Sequence, residues 1–280
     1  FEKVGSAKSP ALINALKEAV KYIQPAEAEA VFTQLSKIPV DDAITLPLAE
    51  CFGRLIALDA EHLVNKYYPS ALREPTMNAA LVGSMKTCMM ITDVSYFTPL
   101  IPLIIARLND KTPAVKLALF SVITYLVNNA KREIQPYVAA IEQQLIPQMP
   151  VDQTYCQIVK FVKIQHVTDN GLDARKAVYE CLNVLIDNFL SALNYKTVAQ
   201  AILQGIVNDS DHDIKIICFS LLTKMAATNS GLMVEILEEF IPTISSIVAP
   251  SLDDKNKEPD NPKQAELSKG ICRFVAKVSE

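Results

Sequence analysis

The chain is poor in glycine, with 7 residues in 280, against an average usage of about 7%. Strand-rich folds use glycine in tight turns and bulges, so its scarcity favours helices. Half of the residues are hydrophobic, which excludes a disordered chain and provides enough apolar surface for a large core. The composition therefore predicts a folded and predominantly helical protein.

The chain also lacks a strong net charge and a long apolar run. Its 27 basic and 31 acidic residues give a formal net charge of −4, so it has no general attraction for a phosphate backbone. The most apolar stretch, Tyr96–Leu108, is interrupted by Pro99 and Pro102 and is too short to span a bilayer, and no signal peptide is visible. Neither nucleic acid nor a membrane is expected as a partner.

Residues that commonly carry chemistry are sparse and scattered. The sequence contains no GxSxG, HExxH, Walker or GxGxxG motif. The richest set of possible metal ligands is the run from Asn208 to Asp213, which includes His212, but it stands where a helix should begin. Capping of that helix is the preferred interpretation. We expect no metal, no cofactor and no catalytic activity; the alternative is an enzyme whose site leaves no sequence motif.

The cysteines form no CxxC pair, and four of them lie inside apolar helical patterns. This distribution predicts reduced, buried thiols in an intracellular protein, with a metal site or a set of disulfides as the alternative. The six residues are Cys51, Cys88, Cys156, Cys181, Cys218 and Cys272.

The decisive feature of the sequence is an internal repeat. Six nine-residue segments align without gaps and carry apolar residues at their first, fifth and ninth positions, a spacing that places these side chains on one face of a helix. The segments are 44–52, 77–85, 115–123, 174–182, 214–222 and 267–275. Most of their spacings match a two-helix repeat of about 40 residues, but two are longer by about a half. Extra residues are therefore expected before Ala174 and before Leu267.

These repeats predict an all-α fold, a right-handed superhelix of the HEAT or armadillo type over residues 1–280 with about six to seven repeats. Stacking supplies each helix pair with the apolar partner that it lacks alone. Several aspartates stand just before the expected second helices, where a carboxylate can cap exposed N–H groups. These are Asp110, Asp169, Asp209 and Asp211.

The first insertion is predicted to contain a β-hairpin at about 153–168. Its residues 155–167 are rich in apolar and β-branched side chains, and Val162, Ile164 and His166 alternate with Lys163 and Gln165. The tip is expected near 160–163, although no glycine, proline, asparagine or aspartate marks a turn there. An apolar hairpin of this kind predicts a partner interface, with packing onto the helices as the alternative.

The second insertion, residues 251–264, is polar and interrupted by prolines. Such a composition predicts a solvated loop.

Three stretches resemble the C-terminal region of the cullin-associated, neddylation-dissociated proteins, the CAND family. His166–Leu182 resembles the family's His-Thr-Val-Asp-Asp-Gly-Leu-Asp-x-Arg-Lys-Ala signature, and Asp211–Lys215 resembles its Asp-x-Tyr-Asp-Ile-Lys. Ala49–Leu55, followed by Asp59, resembles its Ala-Glu-Cys-Leu-Gly-Lys-Leu. The order agrees, and the resemblance extends over nearly the whole chain.

The resemblance implies a scaffold that binds the N-terminal domain of unmodified cullins and blocks or exchanges the adaptor and substrate-receptor subunits of cullin–RING ubiquitin ligases. It implies a cytoplasmic and nuclear location, and a C-terminal piece whose N-terminal region is either missing or a separate partner chain. In the family, a hairpin just before the Asp-Gly-Leu-Asp signature occupies the adaptor surface. The family has a Gly-Pro pair near the tip of this hairpin, and the matching positions in this sequence are about Val162 and Lys163.

Aromatic and aliphatic side chains of the hairpin are expected to bury contact area with the cullin, and its lysines to steer association. The alternative is another HEAT scaffold, such as a nuclear transport receptor or a phosphatase scaffold, which would not need the hairpin. The predicted partner-binding residues are Tyr155, Ile158, Lys160, Phe161, Lys163 and Ile164.

Overall fold

The computed structural model describes residues 10–39, 42–74, 79–161, 164–238, 240–242, 245 and 262–279. The chain divides into two compact units, Phe1–Tyr137 and Val138–Glu280. Several helices begin at a proline, which suits the first turn because its N–H has no partner within the helix. These helices begin at Pro10, Pro25, Pro113 and Pro262.

The first unit consists of helices separated by short stretches of sequence. Its second half also contains a 3₁₀ segment, Val94–Leu100, that leads directly into a short helix. The helices are α1 (Pro10–Ala19), α2 (Pro25–Leu35), α3 (Asp42–Ala57), α4 (Ala60–Arg73), α5 (Ala79–Ile91), α6 (Ile101–Ala106), α7 (Pro113–Asn129) and α8 (Lys131–Ile134).

Helices of the first unit pack in two layers. One layer runs α1, α3, α5 and α7, each in contact with the next, while α2 and α4 pack against this layer and the Val94–Ala106 segment packs on α4. Large side chains between the layers are fully buried, including Phe52, Tyr68, Phe97 and Phe120. This is the alternation of paired helices that the repeat predicted.

Close packing of α3 on α5 requires a glycine. A Cβ atom at Gly53 would lie 2.6 Å from the carbonyl oxygen of Ser84 and 2.6 Å from Cβ of Thr87. Real Cβ atoms do not approach other atoms so closely, so Gly53 allows the two helix backbones to come together.

The second unit contains both helices and the only two strands among the residues that the structure describes. The elements are α9 (Val138–Leu145), β1 (Cys156–Phe161), β2 (Ile164–Asp169), α10 (Leu172–Phe189), α11 (Tyr195–Asn208), α12 (His212–Thr228), α13 (Ser230–Glu238) and α14 (Pro262–Ser279).

Helices of the second unit again form two layers, with α10, α12 and α14 in one and α9, α11 and α13 in the other. Phe219 of α12 and Phe274 of α14 join the core, with ring centroids 5.9 Å apart. The repeat predicted a buried position for Val275, but this side chain is 54% exposed. That prediction is wrong because Phe274, one position earlier, takes the contact with α12.

The fold-class prediction is confirmed: the chain is helical, with HEAT-like helix pairs and one inserted β-hairpin. The number of repeats stays a prediction. Of the expected polar loop at 251–264, residues 251–261 lie outside the described part of the chain, and the last three residues are helical because α14 begins at Pro262.

The prediction for the aspartates is correct at one position. Asp211 is the N-cap of α12, and its side chain accepts from the N–H of Ile214 at 3.1 Å. Asp110, Asp169 and Asp209 instead accept from the N–H two residues later, at 2.8, 2.8 and 2.9 Å. They are not N-caps because they stand two or more residues before the helix, where a short side chain closes a local turn.

The prediction of buried cysteines is confirmed for Cys51, Cys88, Cys181 and Cys218. Burial raises the pKa of Cys51 to about 11 and that of Cys88 to about 11, so both thiols are unreactive at neutral pH. Cys156 is half-buried and Cys272 is exposed.

Candidate partner-binding site

The hairpin presents an apolar pair to solvent. Strands β1 and β2 pair antiparallel, from Cys156 opposite Asp169 to Phe161 opposite Ile164. Ile158 and Val167 are direct cross-strand partners, and they are 63% and 57% exposed. Directly opposed residues lie on the same face of a hairpin, so these two side chains form one apolar surface.

The base of the hairpin is attached to the start of α10 by backbone groups. Asn170 donates its N–H to the carbonyl oxygen of Tyr155 at 3.2 Å. Gly171 donates its N–H to Oδ1 of Asp169 at 2.8 Å. On the other strand, Asp152 accepts from the N–H of Thr154 at 2.9 Å and begins the 3₁₀ turn that precedes β1.

A buried arginine then joins the hairpin to the helices. Arg175 of α10 is only 5% exposed, and it donates from Nη1 to Oδ2 of Asp169, the last residue of β2, at 2.6 Å. The same guanidinium donates from Nε and Nη2 to Asp209, between α11 and α12, at 2.8 and 3.3 Å. Asp209 is itself 4% exposed. We call Asp169, Arg175 and Asp209 the base cluster.

The two carboxylates of the base cluster stabilise the charged form of Arg175. Burial by itself would lower the pKa of Arg175, but its hydrogen bonds to Asp169 and Asp209 outweigh that effect, so the pKa lies above the ordinary value. An arginine that binds both carboxylates through its planar fork is also fixed in direction. The hairpin is therefore attached to a charged and rigid point of the second unit.

A second group of ion pairs links the helices beside the base cluster. Lys176 of α10 and Lys263 of α14 bind Asp213 of α12, with N–O distances of 2.6 and 2.7 Å. The hydrogen bond from Lys176, followed by that from Lys263, lowers the pKa of Asp213. The Asp213 contribution to stability is accordingly present near neutral pH and is lost as the pH falls through its lowered pKa.

Replacement of Gly171 by alanine is expected to lower the free energy of unfolding by about 1–3 kcal/mol, the usual penalty of overpacking. A Cβ atom there would lie 2.7 Å from Cδ2 of Tyr155 and 3.3 Å from its Cβ, so the aromatic ring must move. Urea denaturation measures the change. Gly231→Ala is the control, because a Cβ at Gly231 meets nothing closer than 4.0 Å; equal losses in both variants would contradict the packing of Tyr155.

The structure locates the predicted partner-binding residues in different parts of the hairpin. Tyr155 is half-buried against Gly171 at the base, whereas Ile158 is exposed. Lys160, Phe161 and Ile164 belong to the strands, but their side chains lie outside the described part, as does the whole of Lys163. Their contact with a partner stays a prediction.

Sequence reasoning missed Val167 and the base cluster. Val167 ends the apolar segment in the sequence, and only the register, which pairs Phe161 with Ile164, makes it the partner of Ile158. Arg175 and Asp209 are 34 positions apart, and no local pattern indicates that they touch.

Among the described residues, no group of three or more His, Cys, Asp or Glu side chains is arranged to hold a metal ion. None of the helices within that same part of the chain has the length and apolar character needed to cross a membrane.

Comparison with known proteins gives cullin-associated NEDD8-dissociated proteins among the relatives of this chain. Cullin-associated NEDD8-dissociated protein 2 of Mus musculus is 23% identical over 279 residues, covering 95% of this chain and 22% of the relative. Cullin-associated NEDD8-dissociated protein 1 of Dictyostelium discoideum is 20% identical, covering 83% of this chain and 19% of the relative. In Emericella nidulans, the protein named "Cullin-associated NEDD8-dissociated protein 1, C-terminal part" is 24% identical, covering 83% of this chain and 23% of the relative.

A family model described as "TATA-binding protein interacting (TIP20)" matches residues 133–280, which is more than half of the chain. This chain belongs to the CAND family. It spans about a fifth of the length of the curated relatives it matches. The resemblance noted from the sequence is thus confirmed, and the similarity to the protein named as a C-terminal part agrees with the region that it indicated.

The CAND signature within His166–Leu182 has a structural meaning in this chain. It contains Asp169 and Arg175 of the base cluster, Gly171 under the Tyr155 ring, and Lys176 of the neighbouring ion pairs. Part of the resemblance is therefore carried by residues that join the hairpin to α10.

Proposed function

We propose that this chain binds the N-terminal domain of unmodified cullins through its hairpin. In doing so it blocks or exchanges the adaptor and substrate-receptor subunits of cullin–RING ubiquitin ligases by steric competition. Support for a cullin partner comes from the CAND family membership and from relatives named as cullin-associated.

The exposed pair of Ile158 and Val167 is the observation that carries the role of the hairpin. Exposed apolar surface on a soluble protein commonly marks an interaction site. A two-stranded hairpin is only marginally stable alone, yet this one is attached through a buried arginine. An apolar surface on a firmly held projection suits insertion into a groove of the partner.

Charge adds a reason for the partner to be acidic at this point. Residues 155–167 contain Lys160 and Lys163 and no acidic residue. Lysines beside an apolar contact speed association with an acidic surface and contribute less to the final affinity. We propose that they steer the hairpin toward the cullin.

The proposed activity is that of a scaffold without catalysis. Relatives in the CAND family are named for association with cullins and not for a reaction. A further proposed partner is the N-terminal region of a longer protein, or a separate N-terminal half, which would hold the other end of the cullin. The proposed location is the cytoplasm and the nucleus.

Replacement of Gln153–Val167 by two glycines tests the proposal. We expect the parent chain to form a 1:1 complex with an unmodified cullin N-terminal domain in size-exclusion chromatography with light scattering. The shortened chain should lose the complex, because the apolar pair is gone. It keeps Asp169, Arg175 and Asp209, so its helical circular dichroism and its unfolding midpoint serve as the control for folding.

Unchanged complex formation by the folded, shortened chain would contradict a role for the hairpin. It would favour a general helical-repeat scaffold, for which the hairpin is unnecessary.

A further inference from the structure

The hairpin has one buried ionic attachment to the helices among the described contacts, and both sides of this attachment are fixed. Arg175 is held by Asp209 through two of its nitrogen atoms, at 2.8 and 3.3 Å. Asp169 is held through Oδ1 by the N–H of Gly171 at 2.8 Å. The remaining nitrogen, Nη1, and the remaining oxygen, Oδ2, then meet at 2.6 Å.

We infer that the pair of Asp169 and Arg175 holds the hairpin in one orientation on α10 and thereby preorganises the partner-binding site. Arg175 touches no partner in this account and is a positioning residue. The expected effect on binding rests on the proposed function. The orientation of the hairpin on α10 can be measured without any partner.

Preorganisation follows from where the pair lies. Asp169 is the last residue of β2, and Arg175 lies one turn into α10, so the contact crosses the bend where the hairpin leaves the helix. At this bend the N–H of Asn170 donates to Tyr155 and the N–H of Gly171 donates to Asp169. The carbonyl oxygen of Gly171 accepts from the N–H of Arg175 at 3.0 Å, within the first turn of α10. A link of only two residues between β2 and α10 permits the hairpin to rock. A charge-assisted bond across it removes that freedom before binding, which otherwise has to be lost when the complex forms.

Asp169→Asn removes the attachment with the least disturbance. The amide oxygen can still accept from Gly171, as Oδ1 does now. The amide nitrogen then replaces Oδ2 and, being only a donor, faces Nη1 of Arg175, which is also a donor. Arg175 keeps Asp209, so no buried charge is left alone. Asp187→Asn is the matched control, because Asp187 lies on the same helix and pairs with Lys224 away from the hairpin.

Distance measurement between two spin labels tests the orientation directly. Labels at Gln157→Cys on β1 and Glu180→Cys on α10 use positions that are exposed, in a background with Cys156→Ser and Cys272→Ser, which removes the two cysteines that are not buried. We expect a narrow distance distribution in the parent and in Asp187→Asn, and a broadened or shifted one in Asp169→Asn. A loss of stability alone would not change this distribution in the folded chain.

Binding to an unmodified cullin N-terminal domain is the second measurement. Asp169→Asn is expected to weaken binding by about tenfold, because the hairpin must then be ordered on binding, and Asp187→Asn to leave it unchanged. A distribution as narrow as that of the parent overturns the inference, whatever the affinity. A broadened distribution with unchanged affinity overturns preorganisation. If the parent chain itself does not bind, the proposed function fails, while the distances still decide whether the pair sets the orientation.

Discussion

Replacement of Arg175 by methionine is expected to lower the free energy of unfolding by about 3–5 kcal/mol. Methionine fills a similar volume but leaves the carboxylate of Asp209, which is 4% exposed, without its two hydrogen bonds from the guanidinium. Breaking a buried ion pair from one side is far more harmful than replacing both partners, because the remaining charge stays buried. Urea denaturation followed by circular dichroism measures the change.

Two further variants separate this explanation from a simple loss of packing. Lys224→Met removes a half-buried cation that pairs with exposed Asp187 and also donates to Asn183, and it is expected to change stability by no more than about 1 kcal/mol. Asp209→Asn added to Arg175→Met removes the stranded charge but keeps an oxygen for the N–H of Asp211, so it should recover much of the loss. If the double variant is less stable than Arg175→Met, the explanation through a stranded charge is wrong.

Replacement of Ile158 by aspartate is expected to weaken cullin binding by about 2 kcal/mol or more, the size of a hot spot. Ile158 is 63% exposed and forms the apolar surface with Val167. The new carboxylate would have to be buried against the partner without a counterion, while in the free chain it stays in water. Isothermal titration calorimetry with the cullin N-terminal domain gives the difference.

Gln157→Asp is the matched control for Ile158→Asp. It adds the same charge one residue away on an exposed position of β1, opposite Thr168. Both variants change the electrostatic attraction in the same way, but Gln157→Asp leaves the apolar pair intact. Equal weakening by the two variants would show that charge near the lysines matters and that the contact of Ile158 does not.

Much of the helical framework can be predicted from the sequence. Apolar residues such as Ile44, Leu48 and Phe52 recur every four positions, and this periodicity depends only on which side of a helix is buried. The prediction is wrong at Val275. Which of two neighbouring apolar residues is buried depends on the side chains of the adjacent helix, and here Phe219 of α12 contacts Phe274.

The hairpin could be predicted for the same reason, since β-branched alternation is a local signal. Its register and attachment could not. The pairing of Ile158 with Val167 follows from a register that joins Phe161 to Ile164, and no glycine, proline, asparagine or aspartate near that point indicates this register. The contact of Arg175 with Asp209 joins distant positions, so Asp209, which the pattern indicates as a helix cap, proves to be the counterion of a buried arginine.

The most direct test of the central claim is calorimetric titration of the parent chain into an unmodified cullin N-terminal domain, alone and with the adaptor already bound. Steric competition through the hairpin predicts binding to the free domain and no detectable binding once the adaptor occupies its surface. Equal affinity for the free and the adaptor-bound domain would contradict the account, because the chain would then bind the cullin at a place that the adaptor leaves open.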